Sequence, residues 1–559
     1  MSIRSQLHVS ATSLATVLLT VLASSASAGT PSTCESLTNF KFADTTINSA
    51  TSYPGGAYAA PDAWHLVFTN LPPYCEVQAT IAPTPDSSIG VRVWMPTSRY
   101  NGRYLGTGNG GYAGGFFFSE LADGINRGFA TANTDMGATG GAGVNGDALI
   151  GHPEKWKDFG WRATHLMTTF SKALINAFYG NPANRSYFSG CSTGGQQGLM
   201  EAQRFPYDYD GILAGAPAFN RTHIHTVPVA QYRATHASVA SYIPPTKLDV
   251  ANQAVLAQCR GKDGGALTDA FLTDPRACKF DPATLACPAG MDGLNCLNAD
   301  QVAAMKVYYA GSVNLATGAL INPGNARGSE TSNPAALGLA LNESLNEPSF
   351  DSLFKWVFGI TWQWQTFDFN RDVASVDQVL AADLNATSTD LRPFAGNGGK
   401  LILYAGWADP LIPSQSSINY FNALVSSYGG THYPTALPKT QKFARLFMAP
   451  GMWHCNGGPG PNSFGGAIQQ PPPTYDAQND LLTSLTQWVE KGVAPNAVIA
   501  TKYNNDIPQL GIIARRPICS YPKIPLYTGI GDPSLAESFT CAEEKTALDD
   551  PKPAPQYGP

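Results

Sequence analysis

Ser192 stands in Gly190-Cys191-Ser192-Thr193-Gly194, with Ser186-Tyr187-Phe188 before it and Gly195 to Arg204 after it. The first stretch predicts a strand and the last a helix, so the pentapeptide is a G-x-S-x-G turn between them, a nucleophile elbow. Such a turn pushes the serine oxygen out at the top of a sheet. The residues two before and two after come too close to neighbouring backbone to carry side chains, hence the glycines. A serine held this way attacks acyl carbonyls once a base takes its proton. The pentapeptide alone is weak in a chain with 55 glycines; its setting between strand and helix gives it weight.

With this turn the catalytic order along the chain is serine, acid, histidine. Of nine histidines, only His432 and His454 lie in the C-terminal block. His432 sits in Gly-Gly-Thr-His-Tyr-Pro. His454 follows the strand-like Leu446-Phe447-Met448 through Pro450-Gly451-Met452-Trp453. That is a loop at a strand's carboxyl end, where open α/β sheets place catalytic groups, and it favours His454 over His432. Asp409 is the first carboxylate after another strand-like run, Leu401-Ile402-Leu403-Tyr404; its alternative reading is a turn-forming Asp before Pro410. Cys191 directly precedes Ser192 and Cys455 directly follows His454. A bridge between them would clamp nucleophile to base. The competing reading of Cys191 as a nucleophile is disfavoured, because the residue before an elbow serine points away from the site.

The elements that must position these groups are of α/β type. Val91-Arg92-Val93-Trp94 alternates as a strand, Gly102 to Leu105 begins another, and Phe129 to Asn133 is a third. The second runs into the glycine-rich loop Gly106-Thr107-Gly108-Asn109-Gly110-Gly111. Residues 162–179 carry Ala163, Leu166, Met167, Phe170, Leu174 and Phe178 at helical spacing, with Gly180 as a stop. Leu481, Leu482, Leu485, Trp488 and Val489 make another helical stripe. Strands alternating with helices predict the α/β-hydrolase architecture, a mostly parallel, doubly wound sheet. The rhythm fails from about 222 to 395, a stretch with Cys259, Cys278, Cys287 and Cys296 and many aromatics. The expected organisation is a catalytic domain from 29–221 and 396–559 with an inserted lid at 222–395. A separate linked domain is disfavoured, since no Pro/Ser-rich linker flanks the stretch.

The 559 residues exceed one ordinary core, consistent with an insertion. Hydrophobic residues are 43% and charged ones 14%, a globular composition. A net charge of −6 and the lack of basic tracts argue against nucleic acid as a partner. Residues 1–28 read as a secretory signal peptide: Arg4, an apolar run from Leu14 to Ala23, then Ala26-Ser27-Ala28. No later run is long enough to span a membrane, so the expected location is secreted or periplasmic. All ten cysteines follow the cleavage point, and an even number in an exported chain reads as disulfides. Their spacing is not that of a zinc site.

Together these residues resemble the tannase and feruloyl esterase family, which also holds mono(2-hydroxyethyl) terephthalate hydrolases. The resemblance runs from Cys34 to Cys541. Its most specific mark is the arrangement Cys191-Ser192, Asp409, His454-Cys455; Tyr209 to Pro217 and Pro450 to Cys455 look like family segments as well. It implies bridges Cys34–Cys75, Cys191–Cys455, Cys259–Cys278, Cys287–Cys296 and Cys519–Cys541. It implies an oxyanion hole from the backbone N–H groups of Gly111 and Thr193, and a substrate-facing Ile412. It also implies a lid loop that binds calcium, in which Asp263 and Asp269 match. Arg260 stands where another Asp is usual, and with Lys262 it opposes a cation that needs negative charge. The expectation is therefore a structural Ca2+ held weakly or not at all, and no cofactor for catalysis. The implied substrate is a small aromatic ester, sugar-linked in plant cell wall: feruloyl or related hydroxycinnamoyl first, galloyl second, a terephthalate monoester third. The reading of another class is a catalytically silent carbohydrate- or phenolic-binding protein on the same scaffold. Eight aromatics between Phe350 and Phe369 are expected to form mostly the lid's own core.

Overall fold

The computed structural model describes residues 31–61 and 65–543. The expected signal peptide lies outside the described residues. Nine strands form the central sheet: β1 (Thr45–Tyr53), β2 (Tyr74–Ile81), β3 (Ile89–Pro96), β4 (Arg103–Thr107), β5 (Ala130–Thr134), β6 (Arg185–Cys191), β7 (Gly211–Gly215), β8 (Lys400–Gly406) and β9 (Ala444–Ala449). Their order is β1-β2-β3-β5-β4-β6-β7-β8-β9. From β5 to β9 neighbouring strands are parallel. The other end, β1, β2, β3 and its junction with β5, is antiparallel. The sheet is thus mixed and mostly parallel, as the sequence predicts, with an antiparallel end.

Strand β8 shows why the sheet is covered on both faces. Its sequence Lys-Leu-Ile-Leu-Tyr-Ala-Gly is buried from Leu401 onward, the continuous apolar run of a central parallel strand. Leu401, Leu403 and Ala405 join one core with Met167, Phe170 and Leu174 of helix α1 (Ala163–Tyr179). Ile402 and Tyr404 join the opposite core with Leu481, Leu482, Leu485 and Trp488 of Leu481–Lys491. Alternation along the strand sends successive side chains to opposite layers, so the sheet is doubly wound. Helix α1 ends at Gly180 with φ +75°, as its stop signal predicts. Helix α2 (Thr193–Arg204) follows β6 directly through Ser192.

Strands β7 and β8 pair in parallel, Gly211 with Lys400 through Gly215 with Tyr404. Everything between Gly215 and Lys400 therefore leaves and re-enters the sheet at one place. That excursion holds two small cores, one around Ile243, Leu248, Leu297 and Met305, the other around Val255, Leu256, Leu272 and Phe280. The aromatics between Phe350 and Phe369 do not form a separate lid core, contrary to expectation. Phe350, Phe354, Trp356, Phe367 and Phe369 belong to the same core as β8 and α1. Trp356 lies 5.4 Å, centroid to centroid, from Tyr112 beside the glycine-rich loop. After the last helix, Ala497–Tyr503 and Ile512–Cys519 form an antiparallel ribbon.

Five disulfides, Cys34–Cys75, Cys191–Cys455, Cys259–Cys278, Cys287–Cys296 and Cys519–Cys541, pair the ten cysteines as the resemblance implies. No helix among the described residues is long and apolar enough to cross a membrane.

Candidate active site

The sequence-predicted groups converge at the carboxyl ends of four parallel strands. Ser192 follows β6, Gly111 follows β4, Asp409 follows β8 and His454 follows β9. Ser192 adopts φ 63°, ψ −118°, a conformation rarely accessible to a residue with a side chain. Its backbone is held by hydrogen bonds from its N–H to Gly215 O (2.9 Å) and from Ala218 N–H to its carbonyl (3.1 Å). The flanking glycines are required by space. A Cβ on Gly190 would lie 2.7 Å from Gly194 Cα, and one on Gly108 2.5 Å from the same atom.

Asp409 is fully buried, and His454 keeps 7% of its surface. Asp409 Oδ1 accepts from the N–H groups of Leu411 and Ile412, both at 2.9 Å. Its Oδ2 lies 2.7 Å from His454 Nδ1. An ionised carboxylate can only accept, so the shared proton sits on Nδ1 and Nε2 presents its lone pair. Among the described residues Nε2 has no partner and is buried. Ser192 Oγ is not hydrogen-bonded to it in this structure, as is common before substrate tightens such a contact. The Cys191–Cys455 disulfide, Cα to Cα 5.9 Å, joins the backbone neighbours of serine and imidazole. His432 is exposed and its ring bonds only the Thr435 hydroxyl among the described residues, so the structure brings His454, not His432, to this place.

Two backbone donors complete the cluster. Thr193 opens α2, where the helix N-terminus leaves N–H groups unused and carries partial positive charge. Gly111 has φ +56°, and a Cβ there would lie 2.0 Å from Gly143 O, so only glycine fits. Among the described residues neither the Gly111 nor the Thr193 N–H donates to a protein acceptor. The Thr193 hydroxyl donates to Gly111 O at 2.7 Å and ties the two segments together.

A narrow cleft opens at Ser192, walled by Ala218, Ile224, Pro228, Phe350, Leu411 and Ile412, with Arg221 and His225 among its polar lining. Ile412 thus lines the cleft beside Ser192. Of the eight aromatics between Phe350 and Phe369, Phe350 is the one that lines the cleft. The Tyr112 hydroxyl donates to Phe350 O at 3.0 Å and couples the glycine-rich loop to that wall. Sequence reasoning missed Arg221 and His225. Both come from Asn220-Arg221-Thr222-His223-Ile224-His225 just past β7, and no local pattern marks them. Burial pulls the Arg221 guanidinium down to about 10, and burial and then Arg221 hold the His225 imidazole well below its usual range.

Asp263 and Asp269 do not fit a calcium ion. Asp263 accepts from the N–H groups of Gly261 (3.1 Å), Gly265 (3.2 Å) and Thr273 (2.5 Å). Asp269 accepts from Ala266 N–H at 2.9 Å and, on both oxygens, from Arg516 Nη1 and Nη2 at 2.7 and 2.8 Å. Calcium needs free oxygens; here the chain supplies its own cation, and Arg260, rather than adding charge for a metal, donates to Asp269 O at 3.1 Å. One other group among the described residues has side chains within metal-ligating reach, His165, Glu201 and Asp208. It lies towards the far end of α2 from Ser192, with Lys172 bonded to Asp208 O, and takes no part in the cleft.

A buried Asp–His pair, a strained serine and two free amide donors at one edge of a parallel sheet are the parts of an acyl-transfer site. Comparison with known proteins agrees in kind. A family model described as tannase and feruloyl esterase matches residues 75–542. An uncharacterized esterase of Xanthomonas campestris pv. campestris is 36% identical over 535 residues, covering 91% of each chain. A protein of Aspergillus terreus named "Probable feruloyl esterase B-2" is 32% identical over 480 residues, 84% of this chain and 86% of that one. The crystal structure of feruloyl esterase B from Aspergillus oryzae superposes with a TM-score of 0.81 at 28% identity, over 91% of this chain and 99% of that one. Tannin acyl hydrolase from Aspergillus niger, at 23% identity and a TM-score of 0.70 over 93% of this chain and 94% of that one, shares the fold. The chain is a carboxylic ester hydrolase of α/β-hydrolase fold and belongs to the tannase and feruloyl esterase family.

Proposed function

We propose that the chain is a secreted or periplasmic serine esterase that cleaves esters of hydroxycinnamic acids, feruloyl esters first, through an acyl-enzyme. Ser192 is the nucleophile, His454 the base and Asp409 its orienting acid. His454 Nε2 takes the proton of Ser192 Oγ as the oxygen attacks the ester carbonyl. The N–H groups of Gly111 and Thr193 receive the oxyanion. His454 then returns the proton to the leaving alcohol, and water repeats the sequence to release the acid. The carrying observation is the Asp409–His454 pair at 2.7 Å, tethered to the strained serine by Cys191–Cys455. Residues 222–395 serve as the lid, and Phe350 and Ile412 supply apolar wall to an aromatic acyl group. Five disulfides favour an oxidising compartment. The name feruloyl esterase B among the relatives supports the choice of acid.

The experiment is a substrate panel of methyl ferulate, methyl gallate and a terephthalate monoester, with a chromogenic short-chain ester as control. Preference for gallate or terephthalate would move the assignment to those acids. Inactivity on every ester would favour a silent binding protein.

A further inference from the structure

Arg221 begins the short helix Arg221–Ile224, six residues past the end of β7. Its side chain is 1% exposed, yet among the described residues no carboxylate pairs with it. Nη2 donates to Thr193 Oγ1 at 2.6 Å; Nε and Nη2 approach Gln196 Oε1 at 3.4 and 3.3 Å. The Gln196 amide is held in that orientation by its Nε2, which donates to Gly160 O and Leu384 O at 3.2 and 2.9 Å. On another side the guanidinium lies 4.8 Å from the Phe159 ring centroid.

A guanidinium only donates, and a hydroxyl has one proton. With Arg221 donating to Thr193 Oγ1, that hydroxyl must give its proton to Gly111 O. The relay runs one way, from Arg221 through Thr193 to Gly111. It joins the two chain segments whose N–H groups form the proposed oxyanion hole. Burying a cation without a counter-ion is costly, and at rest only the neutral Thr193 and Gln196 oxygens and the Phe159 ring face it. The negative charge that would do so appears at the adjacent N–H pair when a tetrahedral intermediate forms. An interaction stronger in the transition state than in the ground state accelerates the chemical step.

We propose that Arg221 is a positioning residue of the oxyanion hole: it fixes the Thr193 hydroxyl that locks Gly111 to Thr193, and its unpaired charge is matched only by the reaction's oxyanion. This rests on the Ser192 acyl-enzyme reading. A substrate carboxylate anchored on Arg221 is the rival role, and it predicts ground-state binding instead.

The test compares Arg221→Met, Arg221→Lys, Thr193→Val and Thr193→Ser in steady-state hydrolysis of methyl ferulate and the terephthalate monoester. Inhibition by phenylboronic acid, which forms a tetrahedral serine adduct, and Tm are measured alongside. For Arg221→Met, kcat should fall about 100-fold on both esters, as on losing an oxyanion donor. KM should stay within about threefold, boronate affinity should fall in parallel with kcat, and Tm should not fall, because an unpaired buried charge is gone. Thr193→Val should behave similarly, Thr193→Ser should retain most activity, and Arg221→Lys should lie between. The double variant Arg221→Met/Thr193→Val should be about as slow as the slower single. If Arg221→Met does not fold, Thr193→Val against Thr193→Ser decides. Unchanged kcat in the folded variants, a loss confined to KM or to the anionic ester, or a loss that tracks Tm overturns the proposal. Failure of the underlying reading shows separately, as turnover surviving in Ser192→Ala.

Discussion

At the scale of single residues, the roles proposed for Ser192, His454 and Asp409 make unequal demands and so predict unequal losses. In the proposed mechanism serine and imidazole act as one unit, so removing either removes the nucleophilic route. Ser192→Ala and His454→Ala should each lower kcat by about 10⁴-fold or more, with KM and Tm nearly kept. Asp409→Asn keeps the shape but offers an amide where Nδ1–H needs an acceptor. It should be crippled somewhat less, because Oδ1 also carries the Leu411 and Ile412 N–H bonds that an amide oxygen can still accept. His432→Ala, at an exposed position, should be unchanged. Steady-state kinetics on one chromogenic ester check all four; an inactive His432→Ala beside an active His454→Ala would reverse the choice of base. These residues were legible because the turn that exposes a nucleophile constrains its neighbours to glycine, and that constraint is local. Arg221 was not legible. Its meaning depends on Thr193 and Gln196, which lie on another element, and a lone arginine past a strand carries no spacing signal.

Among elements, two cross-links carry separate expectations. The Cys191–Cys455 bridge spans 264 residues and ties the end of β6 to the loop after β9. It restricts the unfolded chain, worth up to about 5 kcal/mol in the chain-entropy picture, and it fixes the approach of His454 to Ser192. Peptide mapping without reductant should recover the pair. The Cys191→Ala/Cys455→Ala double variant should lose kcat by about tenfold or more while KM changes little; free thiols at both positions would remove the basis for this. The second link is ionic. Arg516, on the Ile512–Cys519 strand, forks onto Asp269 of the insertion. Exhaustive chelation should leave Tm nearly unchanged, and metal analysis should find less than one calcium per chain. Arg516→Met alone should destabilise by about 3–5 kcal/mol, and adding Asp269→Leu should recover much of that, since a buried charge left alone is the main cost. A stoichiometric ion and a large chelator-induced fall in Tm would show that the carboxylates rearrange around calcium after all. Sequence reading found Asp263, Asp269 and the opposing Arg260. It could not find Arg516, which is separated from Asp269 by 247 residues. It also missed the antiparallel strands β1 and β2. The edge strand β1 carries mixed exposed and half-buried residues, so its hydrophobic pattern is faint, whereas β6 and β8 are buried almost end to end and announce themselves.

For the whole molecule, what matters is how the insertion meets the sheet domain. An insertion with its own aromatic core would be a detachable cap. Here Phe350, Phe354 and Trp356 pack into the sheet domain's core, and the Trp356 indole donates to Gly146 O at 2.8 Å. The Tyr112 hydroxyl reaches Phe350 O, and Asn325 Nδ2 donates to Pro410 O at 2.7 Å, one residue from Asp409. The cleft wall and the catalytic loops are therefore one packed unit, and deleting 222–395 should prevent folding rather than yield an open esterase. A fixed apolar wall of Phe350, Ile224, Leu411 and Ile412 beside Ser192 rewards an acyl group that brings a flat ring to it. Ring contact and buried area there are gained by a hydroxycinnamate and forfeited by acetate or butyrate. The expected outcome is a kcat/KM for methyl ferulate at least about tenfold above that for a short aliphatic methyl ester, roughly 1.4 kcal/mol of transition-state discrimination. Phe350→Ala should erase most of this preference by lowering the aromatic value while leaving the aliphatic one nearly unchanged. An intact enzyme that prefers acetate or butyrate over every aromatic ester would mean that the wall shapes the fold and not the substrate.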